Sequence, residues 1–329
     1  MDFKARILGA LVCAGIAASC SSVGDIVLRD KAINRFPLER PFPESSFVQV
    51  EGARLHIRQW EPDNSEYSKP KGIVYLIHGA SGSTYNWRYL APALSEAGWS
   101  VLTADLPPFG FSGEKQDSGH ALDPLPQDSE SRADLLWRLF DALHPCYSGN
   151  LVLAGHSLGG RIAAHMTLSR PDFVDKLVLL APAVFGRSAI PGLAKYWPFS
   201  KVAASGASGV LGNMAVIRAV IKKAYGGRAT EDDIIGNLAP FLRDGVPAAC
   251  GEWARLAIDT SEPPLRLIPS PTLIMWSKDD AIVPNNGKKL QDLVNGSCYQ
   301  EVPGGSHCIM DTDNEIIEPA LLKFLTKDE

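Results

Sequence analysis

A serine flanked by glycines has the sequence context of an activated nucleophile. Residues 155–160 read Gly-His-Ser-Leu-Gly-Gly and lie between a run typical of a strand and a run typical of a helix. Because Gly155 and Gly159 lack side chains, they permit a tight strand-to-helix turn that would raise the Ser157 hydroxyl above a sheet. The next helix would begin beside this hydroxyl, where unpaired backbone N–H groups favour negative charge. The spacing therefore predicts that Ser157 is a nucleophile.

A serine hydroxyl needs a base, and the base needs an orienting carboxylate. Of the seven histidines in the chain, His307 follows the last predicted strand. It should therefore lie at the carboxyl edge of the sheet, where ligands bind in open α/β folds. Five of the other six histidines lie on an edge hairpin, in a polar loop, at a helix end, inside a helix and beside the nucleophile: His56, His120, His144, His165 and His156. We expect His307 to be the base and His156 to pack against its surroundings.

Two neighbouring acids compete for the third role. The predicted strand 272–276 leads through Ser277 and Lys278 into Asp279 and Asp280, and the same loop continues as Ala-Ile-Val-Pro. The other customary position for the acid, after the predicted strand 176–181, reads Pro-Ala-Val and offers no carboxylate. The carboxylate is therefore expected from the later loop.

Short apolar runs alternate with helical stretches along most of the chain, which indicates an α/β fold with a mostly parallel sheet. An antiparallel hairpin is predicted at 47–60, at one edge of the sheet. Further strands are predicted at 72–78, 100–106, 150–156, 176–181, 272–276 and 298–303, and helices at 87–97, 131–143 and 158–169. The candidate residues 157, 280 and 307 would all leave strands at the same edge.

The stretch 184–264 interrupts this alternation. It contains no convincing strand and three helical candidates, at 209–225, 230–243 and 247–259. We expect it to form a helical cap inserted between two parts of an α/β core, 46–183 and 265–329. The alternative is an extra helical layer that packs elsewhere on the core.

Composition and cysteine usage narrow the function classes. The chain has 329 residues, is 45% hydrophobic, and carries 32 Lys and Arg against 37 Asp and Glu, a net charge of -5. Without a long basic run, this composition argues against a nucleic-acid partner. Cys146, Cys250, Cys298 and Cys308 show no C-x-x-C spacing, so no structural zinc site is expected. In an exported protein, Cys298 and Cys308 are the first candidates for a disulfide, and unpaired buried thiols are the alternative.

The first twenty residues have the pattern of an export signal. Lys4 and Arg6 precede an apolar run at 7–18, which is too short to span a bilayer as an ordinary helix. The sequence Ala-Ala-Ser-Cys at 17–20 resembles a bacterial lipobox, which implies cleavage after residue 19 and acylation of Cys20. The sequence thus predicts a signal peptide at 1–19, a tether or N-terminal arm at 20–45, and an exported protein held to a membrane of the cell envelope by its lipid. A plain secretory signal, giving a soluble secreted or periplasmic protein, is the alternative.

Taken together, these motifs resemble the α/β-hydrolase superfamily, specifically its capped esterase- and lipase-like serine hydrolases. The order Ser157, Asp280, His307 matches the family order, and the family pattern D-x-x-V-P falls on Asp280 rather than on Asp279. Residues 78–82 look like the H-G-x-x-G oxyanion loop of the family. Residues 105–112 look like its D-x-x-G-x-G-x-S loop, with Pro108 at the place of the first glycine. The resemblance implies that the backbone N–H groups of Ala80 and Leu158 form the oxyanion hole.

The resemblance also implies the activity. We expect a carboxylic ester hydrolase that forms an acyl-enzyme on a small-molecule acyl substrate and needs no cofactor or metal. The same triad serves carbon–carbon bond hydrolases, cofactor-free haloperoxidases and acyltransferases, which are alternatives within the fold. A surface-tethered binding protein that has lost catalysis is the alternative from another class.

Overall fold

The computed structural model describes residues 23–63, 69–114, 128–185, 213–256 and 262–326. The predicted signal peptide 1–19 and the predicted lipid attachment site Cys20 lie outside the described residues. Among the described helices, none combines the length and the apolar character needed to cross a bilayer.

A single mostly parallel sheet forms the centre of the described structure. The strands are β1 (Ser45–Val50), β2 (Ala53–Trp60), β3 (Ile73–Ile77), β4 (Ser100–Ala104), β5 (Gly113–Glu114), β6 (Leu151–His156), β7 (Lys176–Leu180), β8 (Thr272–Ser277) and β9 (Cys298–Val302). They follow the spatial order β1-β2-β4-β3-β6-β7-β8-β9, with the short β5 paired to β2. The β1–β2 and β2–β4 pairs are antiparallel, and every pair from β4 to β9 is parallel. The predicted edge hairpin and the predicted parallel strands are confirmed.

Helices surround this sheet. They are α1 (Val23–Arg35), α2 (Leu90–Glu96), α3 (Ser129–Leu143), α4 (Leu158–Ser169), α5 (Met214–Ala224), α6 (Glu231–Leu238), α7 (Val246–Leu256), α8 (Gly287–Gln291), α9 (Ile309–Thr312) and α10 (Asn314–Thr326). Short 3-10 helices occur at Thr84–Trp87, Ala239–Leu242 and Leu265–Leu267. All side chains of β3, β4, β6 and β8 are buried, as expected for strands covered on both faces. The predicted α/β class is therefore confirmed.

The register of the parallel strands aligns their carboxyl ends. Ile77 of β3 lies opposite both Ala104 of β4 and Gly155 of β6, and Leu180 of β7 lies opposite Met275 of β8. The loops that follow these strands consequently meet at one edge. The H-G-x-x-G loop, the turn at Ser157 and the acid loop, which carries Asp279 and Asp280 after β8, all lie at this edge.

Two segments differ from the predictions. The predicted helix 87–97 is instead the 3-10 helix Thr84–Trp87 followed by α2, because Ser83 and Asn86 form a capping box that starts a helical turn earlier. Part of the predicted tether, residues 23–35, is the helix α1. This helix is held by a contact with a distant part of the chain, an ion pair between Asp25 and Arg218 of α5 at 2.7 Å. Its own sequence shows little helical periodicity of apolar residues.

The insert between β7 and β8 is helical where it is described. The helices α5, α6 and α7 correspond to the three helices predicted from the sequence, and the segment 186–212 lies outside the described residues. We call residues 184–264 the insert.

The four described cysteines are free thiols: Cys146 and Cys298 are exposed, and Cys250 and Cys308 are buried. Of the two alternatives for Cys298 and Cys308, a disulfide or unpaired thiols, the structure has the unpaired thiols.

Candidate active site

Ser157 occupies the sharp turn between β6 and α4. Its φ of 53° and ψ of -117° are a conformation that non-glycine residues rarely adopt. A Cβ on Gly155 would lie 2.3 Å from the carbonyl oxygen of Gly159, and a Cβ on Gly159 would lie 2.1 Å from that of Ile77. Both neighbours are backbone atoms and cannot give way, so the two glycines are a steric requirement of the turn.

Asp280 and His307 are joined by a short hydrogen bond. His307 Nδ1 lies 2.7 Å from Asp280 Oδ2, the Asp280 side chain is fully buried, and His307 is only 5% exposed. Asp280 is itself fixed, because Oδ1 accepts the backbone N–H groups of Ile282 (2.8 Å) and Val283 (2.9 Å), and Oδ2 accepts Trp276 Nε1–H at 3.1 Å. A carboxylate held in this way leaves His307 Nε2 as the ring nitrogen that is able to accept a proton.

The competing acid, Asp279, lies apart from the imidazole. It is exposed, and its backbone N–H donates to the Gly304 carbonyl at 2.9 Å. Of the two neighbouring acids, the structure thus brings to His307 the one on which the family pattern falls, Asp280.

Ser157 and His307 line the same cavity. His156, the last residue of β6, connects them, since its Nε2 lies 2.9 Å from the His307 carbonyl oxygen and the two imidazole rings are 4.6 Å apart. Burial, with the adjacent His307 as a lesser cause, lowers the pKa of His156 well below its ordinary value. His156 is therefore neutral and donates its Nε2–H to the backbone of His307. The sequence predicted only that His156 packs, and no local pattern indicates this bond.

The loop 78–82 packs directly on the serine. A Cβ on Gly79 would lie 2.9 Å from the Cβ of Ser157, so glycine is needed for this approach. Ala80 lies inside the turn that Gly82 N–H closes onto the Gly79 carbonyl at 3.1 Å. Leu158 is the first residue of α4, and the first N–H groups of a helix have no acceptor within the helix. The two predicted donors, at Ala80 and Leu158, thus belong to the two segments that meet at Ser157.

His78 orients this loop. Its Nε2 accepts the Leu106 N–H at 2.8 Å, so its Nδ1–H donates to the Gly79 carbonyl, also at 2.8 Å. Burial lowers the pKa of His78, which keeps the ring neutral. The histidine that begins the H-G-x-x-G motif is therefore a support for the loop and not a proton carrier.

Asp105 follows β4 and holds the start of the 3-10 helix Thr84–Trp87. Its Oδ1 accepts Thr84 N–H at 2.6 Å, and its Oδ2 accepts Phe111 N–H at 2.6 Å and contacts His56 Nδ1 at 2.8 Å. All of these groups are buried, and His56 is consequently structural. The sequence indicated Asp105 only through the D-x-x-G-x-G-x-S pattern.

The cavity that contains Ser157 has a volume of about 290 Å³. One wall is apolar and comes mainly from α5, with contributions from the 3-10 helix Ala239–Leu242 and the acid loop: Val216, Ile217, Val220, Ile221, Phe241 and Ile282. The polar residues Asn86, Tyr225 and Asn237 also line the cavity. The insert therefore supplies much of the surface that a substrate would contact. The described residues hold no group of three or more His, Cys, Asp or Glu side chains arranged to bind a metal ion.

Comparison with known proteins shows the family and the fold of the chain. The protein family described as serine aminopeptidase, S33, a family of hydrolases, matches residues 68–315. Among solved structures, a bromoperoxidase from Bacillus anthracis superposes with a TM-score of 0.67 at 21% identity, over 86% of this chain and all of that one. This likeness places the chain in the α/β-hydrolase fold.

Two curated relatives cover most of the chain. The Bacillus subtilis protein named Uncharacterized hydrolase YugF is 26% identical over 79% of this chain and 92% of its own length. Human monoglyceride lipase is 25% identical over 78% of this chain and 80% of its own. Both are hydrolases by name, and the second acts on an acylglycerol.

Proposed function

Since the chain belongs to the serine aminopeptidase family, S33, of α/β-fold hydrolases, we propose that it is a serine hydrolase that cleaves carboxylic esters through an acyl-enzyme. The observation that carries the proposal is the hydrogen bond between Asp280 and His307, at a cavity that also contains the strained Ser157. Each of the three side chains has the chemical type that its role requires.

The reaction follows from these positions. His307 Nε2 takes the proton of the Ser157 hydroxyl as Oγ attacks the ester carbonyl, and Asp280 stabilises the imidazolium that forms. The imidazolium then donates its proton to the leaving alkoxide as the carbon–oxygen bond breaks. In the second half, His307 takes a proton from water, the hydroxide attacks the acyl-enzyme, and the proton returns to Ser157 as the acid leaves. Ser157 ends as it began.

The developing oxyanion needs preorganised donors. The backbone N–H groups of Leu158 and Ala80 are our candidates, and losing one donor of this kind costs about 2.7–4 kcal/mol of the barrier. Because both donors are main-chain groups, substitution of their side chains by small residues tests them little. Substitution of Gly79, which lies against Ser157, disturbs the loop and tests the arrangement.

The cavity favours an acyl ester over a peptide. Its apolar wall fits a hydrocarbon chain, and one of the curated relatives is named as a monoglyceride lipase. We infer that the insert acts as a cap, with α5 as the wall of the acyl site. The proposed substrate is therefore a small-molecule ester with an apolar acyl group.

Labelling with a fluorophosphonate tests the proposed nucleophile. The wild type should be labelled on Ser157, and Ser157→Ala should not be labelled while it remains folded by circular dichroism. A folded wild type that resists the probe would instead support the non-catalytic binding protein. Turnover of short- and long-chain nitrophenyl esters beside a vinylogous diketone separates ester from carbon–carbon bond hydrolysis, and faster turnover of the diketone would overturn the ester assignment.

We further propose that the protein is exported and anchored by a lipid on Cys20. The support is the apolar run 7–18 followed by the lipobox-like sequence at 17–20. Cys20→Ala should release the protein from the membrane fraction of expressing bacteria. Retention of the variant in that fraction would contradict the lipid anchor.

A further inference from the structure

The end of α5 holds the backbone of the candidate base. The His307 N–H donates to the carbonyl of Ala224 at 2.7 Å, and the same carbonyl accepts Cys308 N–H and Ser306 Oγ–H, each at 3.3 Å. Ala224 is the last residue of α5, where carbonyl groups have no donor within the helix. The loop that carries the imidazole is thus attached to the insert as well as to the core.

The turn after α5 lies very close to the loop that carries His307. Gly226 has a φ of +60°, and a Cβ there would lie 3.0 Å from the backbone nitrogen of Ser306. A bulkier residue would push the end of α5 away from the histidine loop. The chain therefore turns sharply, directly after α5, against residues 305–306.

A buried polar cluster lies beside this contact. It consists of Asn86, Tyr225, Asn237 and Asp311, which we call the junction cluster. The Tyr225 hydroxyl donates to Asp311 Oδ2 at 2.7 Å and accepts from Asn237 Nδ2 at 2.8 Å. Asn86 Nδ2 donates to the same Asp311 oxygen at 3.0 Å and to Asn237 Oδ1 at 3.1 Å. Four elements are joined: the 3-10 helix Thr84–Trp87, the end of α5, α6 and α9.

Arg88 strengthens this junction. Its guanidinium forms ion pairs with Asp311, which follows the histidine loop in α9, and with Asp233 in α6 of the insert. The Arg88 side chain is 14% exposed, and that of Asp311 is fully buried. Because water screens these charge-assisted hydrogen bonds little, they hold the groups that they join in a defined orientation.

The junction cluster is costly to bury. Burial raises the pKa of Asp311 to about 6, although Arg88 opposes the shift, and burial also raises the pKa of Tyr225. Apolar side chains of similar volume would fill the junction without this cost. The polar side chains therefore indicate that the joined elements must be held at a defined distance and orientation, and not merely be packed together.

We propose that the junction cluster positions His307: by fixing Tyr225, it fixes the adjacent Ala224 carbonyl, so that α5 is a stationary part of the active site rather than a mobile lid. The inference rests on the proposed function, because it assigns His307 the role of base. Tyr225 borders the cavity, but its hydroxyl is occupied by Asp311 and Asn237. It is a positioning residue and not a catalytic one.

A pair of matched variants tests the inference. Tyr225→Phe removes the hydroxyl of the junction cluster. Tyr85→Phe removes another tyrosine hydroxyl that joins the core to α6, through a 2.9 Å bond to the Asp232 carbonyl, but one that does not belong to the junction cluster. Since misplacement by about 1 Å costs on the order of 100-fold, we expect Tyr225→Phe to lower kcat by about 10- to 100-fold with KM within about twofold. Tyr85→Phe should keep the kcat of the wild type.

Hydrogen exchange gives a readout that does not depend on turnover. In full-length protein, amides of residues 304–311 should exchange faster in Tyr225→Phe than in the wild type, and Tyr85→Phe should leave them unchanged. Equal effects of the two variants would mean that the junction cluster contributes only to the general stability of the fold. This result would overturn the inference. So would a rise in KM with kcat unchanged, which would make Tyr225 a substrate contact. A wild type inert to fluorophosphonate would refute the proposed function, and the exchange comparison would still decide whether the cluster holds the loop.

Discussion

Replacing Asp280 by asparagine should remove the activity while preserving the shape of the site. The carboxylate accepts four hydrogen bonds, from the Ile282 and Val283 N–H groups, Trp276 Nε1–H and His307 Nδ1–H. An asparagine amide has one oxygen. If that oxygen keeps the two backbone bonds, its NH2 group faces the indole and the imidazole, which are both donors in the wild type.

The imidazole is the group that is able to adapt. The Trp276 indole is always a donor, whereas His307 can move its proton to Nε2 and accept from the asparagine NH2 through Nδ1. Nε2 is then protonated and cannot take the proton of Ser157. A wrong tautomer of this kind lowers kcat by about 10⁴-fold, which corresponds to about 5.5 kcal/mol of barrier. The indole N–H loses the Asp280 acceptor but keeps the Val283 carbonyl at 3.2 Å. The loss of stability should therefore lie below the roughly 1–3 kcal/mol of an unsatisfied buried donor, which an ordinary domain tolerates.

The measurement is kcat on a short-chain nitrophenyl ester, with the rate of fluorophosphonate labelling and the melting temperature measured alongside. Asp279→Asn is the matched control, because Asp279 is exposed and directly adjacent in sequence. It should retain kcat within about twofold, since it changes a surface charge only. An Asp280→Asn enzyme with more than a tenth of the wild-type kcat, or an inactive Asp279→Asn, would refute the reasoning.

Three further predictions concern the groups around the site. Gly159→Ala should destabilise the fold by about 3 kcal/mol in urea unfolding, because the new Cβ meets the Ile77 carbonyl at 2.1 Å; an unchanged unfolding midpoint would contradict the strained turn. His156→Phe should lower kcat roughly tenfold through loss of the bond to the His307 carbonyl, and His156→Gln, which keeps an N–H donor, should recover part of it. Burial raises the pKa of Asp105, but His56, His78 and the Phe111 N–H together outweigh burial, and the pKa lies below the ordinary 3.8. Its ionised form stabilises the fold above about pH 4, and this contribution is lost as the pH falls through the lowered pKa, so the wild type should lose stability in acid more steeply than Asp105→Asn; parallel pH profiles of the two melting temperatures would disprove this.

Local residue types were sufficient to predict the elements that carry the candidate site. The apolar run Ile73–Ile77 is buried on both faces. A short continuous apolar run of this kind is typical of a strand that is covered on both faces of the sheet. The serine turn is likewise a local consequence, since only glycine at 155 and 159 avoids collision with nearby backbone. Boundaries were less well predicted where a side-chain cap decided them, as with Ser83 before the first 3-10 helix.

What the sequence by itself determined is therefore the α/β order, the turn at Ser157 and, through the family pattern, Asp280 as the expected acid. The tertiary structure decided that Asp280 meets His307, that His156 donates to the His307 carbonyl, and that Tyr225 and Asp311 join the insert to the histidine loop. The physical reason is that strands and tight turns depend on neighbours in the chain, whose spacing is periodic and visible. A hydrogen bond such as that from Asn86 to Asp311, 225 residues apart, depends on how loops meet in space and leaves no pattern in either segment.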